Sequence, residues 1–284
     1  IIHTICDNKF QFPIKVFEYM RILIIKLRRL LQSFFHRKNI IVMTPSSTES
    51  LKDFFGLIRP IKTNYELVRL GGDNDGGYLV PNCLDDIKLC ISPGVGEIAK
   101  FEEEIYEKHG ISSILLDHTI QEPNFNKFDY KFINKKLSYD QKENSVNLDE
   151  LVQENSMQEN DLILQMDIEG HEYEILLNAQ DKTLRSFRIM IIEFHDLYYL
   201  RQQYSFKFIY LIFQKLLRYF EIVHIHPNNA GEKFSHHGDI FPSIIELTFL
   251  RKDFTDNLGY SNLPHNLDQP NLETMEDFFL PKIY

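Results

Sequence analysis

A chain of 284 residues with net charge −10, 43% hydrophobic and 25% charged residues has the make-up of an ordinary folded protein, neither disordered nor fibrous. Its acidic balance argues against a general basic surface for nucleic acid. The charge is uneven, because residues 15–38 hold seven Lys/Arg and one acid, leaving 24 basic against 40 acidic residues elsewhere. Cys6, Cys83 and Cys90 are odd in number and form no CxxC, which predicts buried thiols in a reducing compartment and no disulfide frame.

The chain does not begin with Met, and Met20 is a candidate native start. From Phe17 to Phe35 apolar residues recur with helical spacing, interleaved with Arg21, Lys26, Arg28 and Arg29. The uncharged run Ile22–Ile25 is far below the ~20 residues a bilayer span needs. This predicts an N-terminal appendage over residues 1–45, a basic amphipathic helix that lies on an anionic membrane face or packs on protein. The expected location is cytoplasmic and peripheral. Thr44–Ser50 reads as a linker whose hydroxyls cap a helix from Leu51 to Ile58, which Pro60 ends.

Residues 46–252 read as the main domain. Arg69-Leu-Gly71-Gly72-Asp73-Asn74-Asp75-Gly76-Gly77-Tyr78 demands positive φ angles, as a hairpin turn or as a ligand-facing loop. Ile87–Ile91 is the first central strand. It runs into Ser92-Pro93-Gly94-Val95-Gly96-Glu97-Ile98-Ala99 and a helix over Lys100–Lys108, the layout that sets a ligand against N–H groups at a helix start. A second strand, Ser113–Leu116, ends in Asp117, spaced to bind a ribose hydroxyl pair. Gly94-x-Gly96-x-x-Ala99 with Asp117 also matches a dinucleotide fingerprint, which would make the chain an NAD(P)-dependent oxidoreductase. Pro93 before the first glycine, and the lack of a Tyr-x-x-x-Lys pair, weigh against it.

Tyr130–Leu137 is the third strand, followed by Ser138-Tyr139-Asp140 as an adenine-side loop and a helix begun by Asn147. The strand 161–167 is an apolar run ending in Asp167, with Glu169 just beyond it, before a helix over Glu172–Ala179. Glu172 itself reads as an acid in a first helical turn. Arg188–Phe194, ending in Glu193-Phe194-His195, is the fifth strand; a helix over Phe206–Tyr219 leads to the sixth, Glu221–Ile225. Pro242–Leu250 closes the sheet, residues 226–241 form a loop or lid, and residues 253–284 read as an extended tail.

Three strand–helix units, an acid-tipped fourth strand and a final strand pair are the order of a Rossmann-like S-adenosylmethionine-dependent methyltransferase. At residue level the chain resembles the FkbM-type methyltransferase family. Leu148-Asp149-Glu150-Leu151, then Met166-Asp167-Ile168-Glu169-Gly170-His171-Glu172, then Glu193-Phe194-His195 carry the resemblance, with Asp75-Gly76-Gly77-Tyr78 ahead of them. It spans about Arg69 to Lys252. It implies an α/β fold with a seven-stranded mixed sheet flanked by helices. It also implies methyl transfer from S-adenosylmethionine to a hydroxyl, often on a sugar or similar small acceptor. Ser92-Pro93 departs from the acidic opening the family's glycine loop usually has, so Asp75 or Glu97 is expected to hold the methionine amine. A degenerate relative that only binds a partner is the non-enzyme alternative.

The expected cofactor residues are Arg69, Asp75, Gly76, Gly77, Ser92, Gly94, Gly96, Glu97, Asp117, Ser138 and Asp167. His195, two residues beyond an acid able to orient it, is the first candidate for general base, with Asp167, Glu169 and Glu193 beside it. Asp167, Glu169, Glu193 and His195 alternatively suit a divalent metal such as Mg²⁺ or Mn²⁺. Acceptor contacts are expected from Asn228, Asn229 and His237, near Phe234 and Phe241. His224, His226, His236 and His237 crowd the sixth strand's end without a cysteine, a poor zinc set.

Overall fold

The computed structural model describes residues 14–39, 43–123, 125, 127–140, 144–155 and 161–280. Cys6 lies outside the described residues, whereas Cys83 and Cys90 are free, buried thiols. The chain divides into two compact units, Ile1–Thr44 and Pro45–Tyr284.

In the first unit α1 (Ile14–His36) displays exposed apolar side chains at three- and four-residue spacing, among them Tyr19, Leu23, Leu27, Leu30 and Phe34. Among the described residues no helix is long and apolar enough to cross a membrane.

The second unit is built on seven strands: β1 (Leu89–Pro93), β2 (Ser112–Leu116), β3 (Tyr130–Ile133), β4 (Leu162–Met166), β5 (Phe187–Phe194), β6 (Phe220–Pro227) and β7 (Ile245–Arg251). Their order across the sheet is β6-β7-β5-β4-β1-β2-β3, with β7 antiparallel to both neighbours and the pairs among β1 to β5 parallel. Helices α3 (Lys100–His109), α4 (Leu148–Asn155), α5 (Glu172–Asn178), α6 (Asp181–Leu184) and α7 (Gln203–Leu216) form the connections. Chain direction across the sheet reverses between β1 and β4, the switch point at which such sheets open a crevice beyond their carboxyl ends.

The core explains why the strands read as unbroken apolar runs. All five residues of β4 and all eight of β5 are buried, as expected of strands covered on both faces. Helix α2 (Thr48–Leu57) is capped by Ser47, whose side chain accepts from Ser50 N. It seals one face with Phe54, 5.0 Å from the Phe213 ring, and Phe55, stacked 5.1 Å from Phe241. Each fully buried aromatic contributes about 1.5–3 kcal/mol.

Three sequence expectations change. The run 130–137 is interrupted because Asn134 turns its amide onto the carbonyls of Asp117 and Ile120, so Lys136–Leu137 pairs separately with Ser145–Val146. The expected lid is instead an antiparallel hairpin, Lys233–His236 with Asp239–Pro242, turned through His237 and Gly238 at positive φ. The tail belongs to the second unit: Tyr260 bridges to Ile61, Asp268 bonds His224, and Asn271 is buried against Glu246.

Candidate active site

The glycine bend after β1 is fixed first by backbone contact. Gly94 has φ +88°, its N–H donates to Leu116 O at 2.8 Å, and a Cβ on it would lie 1.5 Å from the Asp167 carbonyl oxygen. The β1 and β4 ends therefore touch, and the bend's first glycine is required by that approach. Gly96, at φ +62°, has nothing within 4 Å of a Cβ, so its side faces open space. Its N–H donates to Asp117 Oδ2 at 3.1 Å, while Thr119 donates to Oδ1 through its N–H at 2.7 Å and its hydroxyl at 2.6 Å. Burial opposes ionisation of Asp117, but the Thr119 and Gly96 hydrogen bonds outweigh it and hold the carboxyl below its usual range. Gly94, Gly96, Asp117, Leu137, Asp167 and Ile168 line a cavity of about 380 Å³ at these strand ends. A larger cleft of about 630 Å³, beside Thr63, Val223 and His265, is not the one into which these strand ends open.

Next to the cavity lies a carboxylate–histidine cluster. Glu172, fully buried at the start of α5, accepts from Ile168 N at 3.2 Å and Gly170 N at 3.1 Å, and its Oε1 lies 2.9 Å from His195 Nδ1. Nδ1 therefore carries the proton, and Nε2 is left as the site-facing atom. Nε2 lies 3.7 Å from Asp167 Oδ1, 3.4 Å from Glu169 Oε2 and 3.8 Å from Glu193 Oε1. Glu169 sits at φ +53° before Gly170, a turn that swings its side chain outward to 86% exposure. Glu193 Oε1 accepts from Asn228 Nδ2 at 2.7 Å. Asp75, Glu193 and Glu246 form a second close group, each with an oxygen within 4.8 Å of the others.

The electrostatics are those of crowded acids. Burial, with Glu169, Glu172 and Asp75 adding repulsion, pushes the Asp167 carboxyl up to about 7 although His195 opposes the shift. Burial raises Glu193 well above the carboxylate range, helped by Asp167 and Glu246. Burial likewise lifts Glu246 to about 8, against the Asn271 hydrogen bond. Burial disfavours charge on His195, yet the Glu172 hydrogen bond and the surrounding carboxylates raise it overall.

The remaining predicted residues divide. Arg69 binds the loop itself, through Gly72 O at 2.7 Å, Asp73 O at 3.0 Å and Asn74 O at 3.1 Å. Gly77 is required by loop closure, since a Cβ would meet Gly72 O at 2.3 Å; Gly76, at φ +79°, is open. This loop carries Asp75 to the second acid group, making it both a hairpin turn and a site-facing loop. Ser92 is fully buried within β1, its hydroxyl on Glu102 Oε1 at 2.5 Å and Gln165 Oε1 at 2.7 Å, and does not line the cavity. Glu97 is exposed, and Ser138 Oγ is taken by Asp140 at 2.5 Å; neither lines the cavity.

The expected acceptor residues are not brought together. Asn228 serves Glu193, Asn229 holds the tail through Leu272 O and Met275 O, and His237 turns toward Ser46 O on the outer hairpin. The four histidines fall into two pairs, His224 and His226 beside Asp268 and His236 and His237 at Ser46 O. Glu172, Glu246 and Asn271 are what the sequence reading missed. A glutamate inside the apolar run of β7 was a visible signal for Glu246, whereas nothing local marked Asn271.

Residues 62–220 match the model of the family described as Methyltransferase FkbM domain. No curated protein matches the chain. Among solved structures, a putative DNA modification methyltransferase encoded within an E. coli prophage aligns at 12% identity and TM-score 0.35, over 58% of this chain and 47% of that one. This chain thus spans about half that protein's length. A precorrin-6y C5,15-methyltransferase from Geobacter metallireducens GS-15 aligns at 12% identity and TM-score 0.32, over 59% and 83%. The METTL16 methyltransferase domain aligns at 11% and 0.31, over 81% and 96%.

Proposed function

Because the chain belongs to the FkbM methyltransferase family, we propose that it transfers the methyl group of S-adenosylmethionine to a hydroxyl of a sugar or similar small polar acceptor. One observation carries the hydroxyl assignment: His195 Nε2, oriented from behind by Glu172, faces Asp167 and Glu169 at the edge of the cavity beside Gly94 and Gly96. Methyl transfer from a sulfonium is an in-line displacement, so alignment dominates. A hydroxyl acceptor must also lose a proton. The C–O bond forms as the S–C bond breaks, the electron pair stays on sulfur, and the proton passes to the carboxylate–histidine cluster.

Within this reading Gly96 leaves room for the cofactor and Asp117, already ionised by its own hydrogen bonds, takes the ribose hydroxyls. Asp75 is better placed than Glu97 for the methionine amine, because Asp75 joins the acid group whereas Glu97 points to solvent. The acceptor enters over Glu169 and His195. The basic helix α1 brings this chemistry to an anionic membrane face.

Thermal unfolding with S-adenosylhomocysteine beside NAD⁺ tests the cofactor. A micromolar ligand at millimolar concentration adds about 4 kcal/mol by mass action. Stabilisation by the thioether and not by NAD⁺ is expected; the reverse, or neither, sinks the reading. The hydroxyl assignment is tested by His195→Ala, which should abolish transfer of labelled methyl while leaving S-adenosylhomocysteine binding intact.

A further inference from the structure

We propose that Asp167, Glu193 and His195 hold a divalent cation of the Mg²⁺/Mn²⁺ class, with Glu172 fixing the imidazole behind it. Each residue offers one donor atom, and the three atoms lie within 4.8 Å of one another. They come from the end of β4, the end of β5 and the residue just past β5, so paired strands hold them in place. Octahedral ions of this class bind at roughly 2.1 Å, which sets adjacent donors about 3 Å apart and opposite donors about 4.2 Å apart. The separations of 3.7 and 3.8 Å from His195 Nε2 to Asp167 Oδ1 and Glu193 Oε1 fall between those limits.

Two observations independent of the cluster's acidity point to a ligand. His195 is only 7% exposed, and among the described residues its Nε2 makes no hydrogen bond although it faces three carboxylates. Asp167 Oδ1 is sealed from solvent with no hydrogen-bond partner, and the only described group able to carry positive charge beside it is the His195 imidazole, 3.7 Å away and out of hydrogen-bond reach. Among the described residues no Lys or Arg is paired with Asp167 or Glu193. The nearest guanidinium in the loop, that of Arg69, is committed to backbone carbonyls. Two carboxylate oxygens and one imidazole nitrogen are a hard donor set with one borderline member, which Mn²⁺ tolerates best and Mg²⁺ accepts. Glu172 behind His195 is the outer partner that metal-binding histidines characteristically have.

In this arrangement His195 is a ligand and not the base. The cation supplies Lewis acidity toward an acceptor hydroxyl. Glu169, with Oε2 3.4 Å from Nε2 and its side chain 86% exposed, receives the hydroxyl proton and releases it to water. The proposal rests on the methyltransferase reading for its catalytic meaning, while cation binding itself needs no methyl donor.

The test is calorimetric titration of the full chain with MnCl₂, followed by Mn²⁺ electron paramagnetic resonance, with S-adenosylhomocysteine binding measured in parallel in chelator. One Mn²⁺ site is expected, competed by Mg²⁺, weakened at least tenfold in Glu193→Gln and His195→Ala, and weakened 10–100-fold in Glu172→Gln. Nitrogen hyperfine coupling from His195 should disappear in His195→Ala. Thermal unfolding shows that each variant is folded; Glu193→Gln keeps an oxygen for Asn228 and serves if the alanine variant does not fold. No Mn²⁺ binding, or binding unchanged in both variants, overturns the proposal even if S-adenosylhomocysteine binds. Loss of S-adenosylhomocysteine binding with the Mn²⁺ site intact strikes the methyl-donor reading instead.

Discussion

Glu172 Oε1 lies 2.9 Å from His195 Nδ1 and also accepts from the backbone N–H groups of Ile168 and Gly170, while its Oε2 is buried with no partner. One oxygen thus ties the β4–α5 turn to the residue after β5. Glutamine can place its carbonyl where Oε1 is and its NH₂ where Oε2 is, keeping all three bonds and removing only the charge. Glu172→Gln is therefore expected to unfold in urea within about 1–2 kcal/mol of the parent, the cost of one unsatisfied buried donor. Labelled methyl transfer should nevertheless fall 10–100-fold, the usual effect of losing such an outer partner. Glu172→Ala leaves three donors without an acceptor and should lose about 3 kcal/mol or more. Equal stability of the two variants would refute this division of labour.

The two glycines of the bend should behave differently. Gly94→Ala puts a Cβ 1.5 Å from the Asp167 carbonyl oxygen at φ +88°, so the β1 and β4 ends must separate. Its unfolding midpoint should drop steeply, with loss of soluble protein. Gly96→Ala meets nothing within 4 Å and bears only its positive φ, a cost of about 1–2 kcal/mol. It should fold and bind S-adenosylhomocysteine more weakly, because its open side is where the cofactor is placed. Unimpaired binding by Gly96→Ala would move the cofactor elsewhere.

The contrast shows what the sequence could and could not say. Strands that read as apolar runs, such as 162–166 and 187–194, were legible because both faces are covered. The acids at their tips were legible for the same reason, since Asp167 and Glu193 break an otherwise apolar register. The direction of Ser92 was not, because strand β1 continues through Pro93 and turns the Ser92 hydroxyl inward to Glu102 and Gln165. Asn228, Asn229 and His237 looked alike as polar residues near one strand end, but their partners lie 35, 43 and 191 positions away in sequence. Asn271 was invisible for that reason too: only the folded tail brings it to Glu246.

Glu246 gives a pH prediction. Its folded-state carboxyl titrates at about 8, against the ordinary value of 4.5, chiefly because it is buried. Between these values the folded chain holds a proton that the unfolded chain has released. The contribution to stability is therefore full below about pH 4.5 and is lost as pH rises toward 8. Glu246→Gln lacks this titration and offers the same shape to Asn271. In chelator its melting temperature should exceed that of the parent at pH 9, with the gap closing toward pH 5. A pH-independent difference would show that Glu246 does not carry the effect.

Helix α1 supplies the last prediction. Tyr19, Leu23, Leu27, Leu30 and Phe34 form one exposed apolar stripe, with Arg21 opposite and Lys26 and Arg29 on its flank. A helix with this distribution binds in the plane of an anionic surface, where each Lys or Arg contributes about 1 kcal/mol near the headgroups. The full chain should co-sediment with phosphatidylserine-containing vesicles and much less with phosphatidylcholine alone, and added salt should weaken the binding. Leu23→Asp with Leu30→Asp sets two carboxylates in the middle of the apolar stripe and keeps the basic residues, so binding should fall at least tenfold. S-adenosylhomocysteine binding by the second unit should stay unchanged. Equal sedimentation of parent and double variant would mean that the stripe meets protein instead, and a shift in molecular mass by light scattering would identify a second copy as its partner.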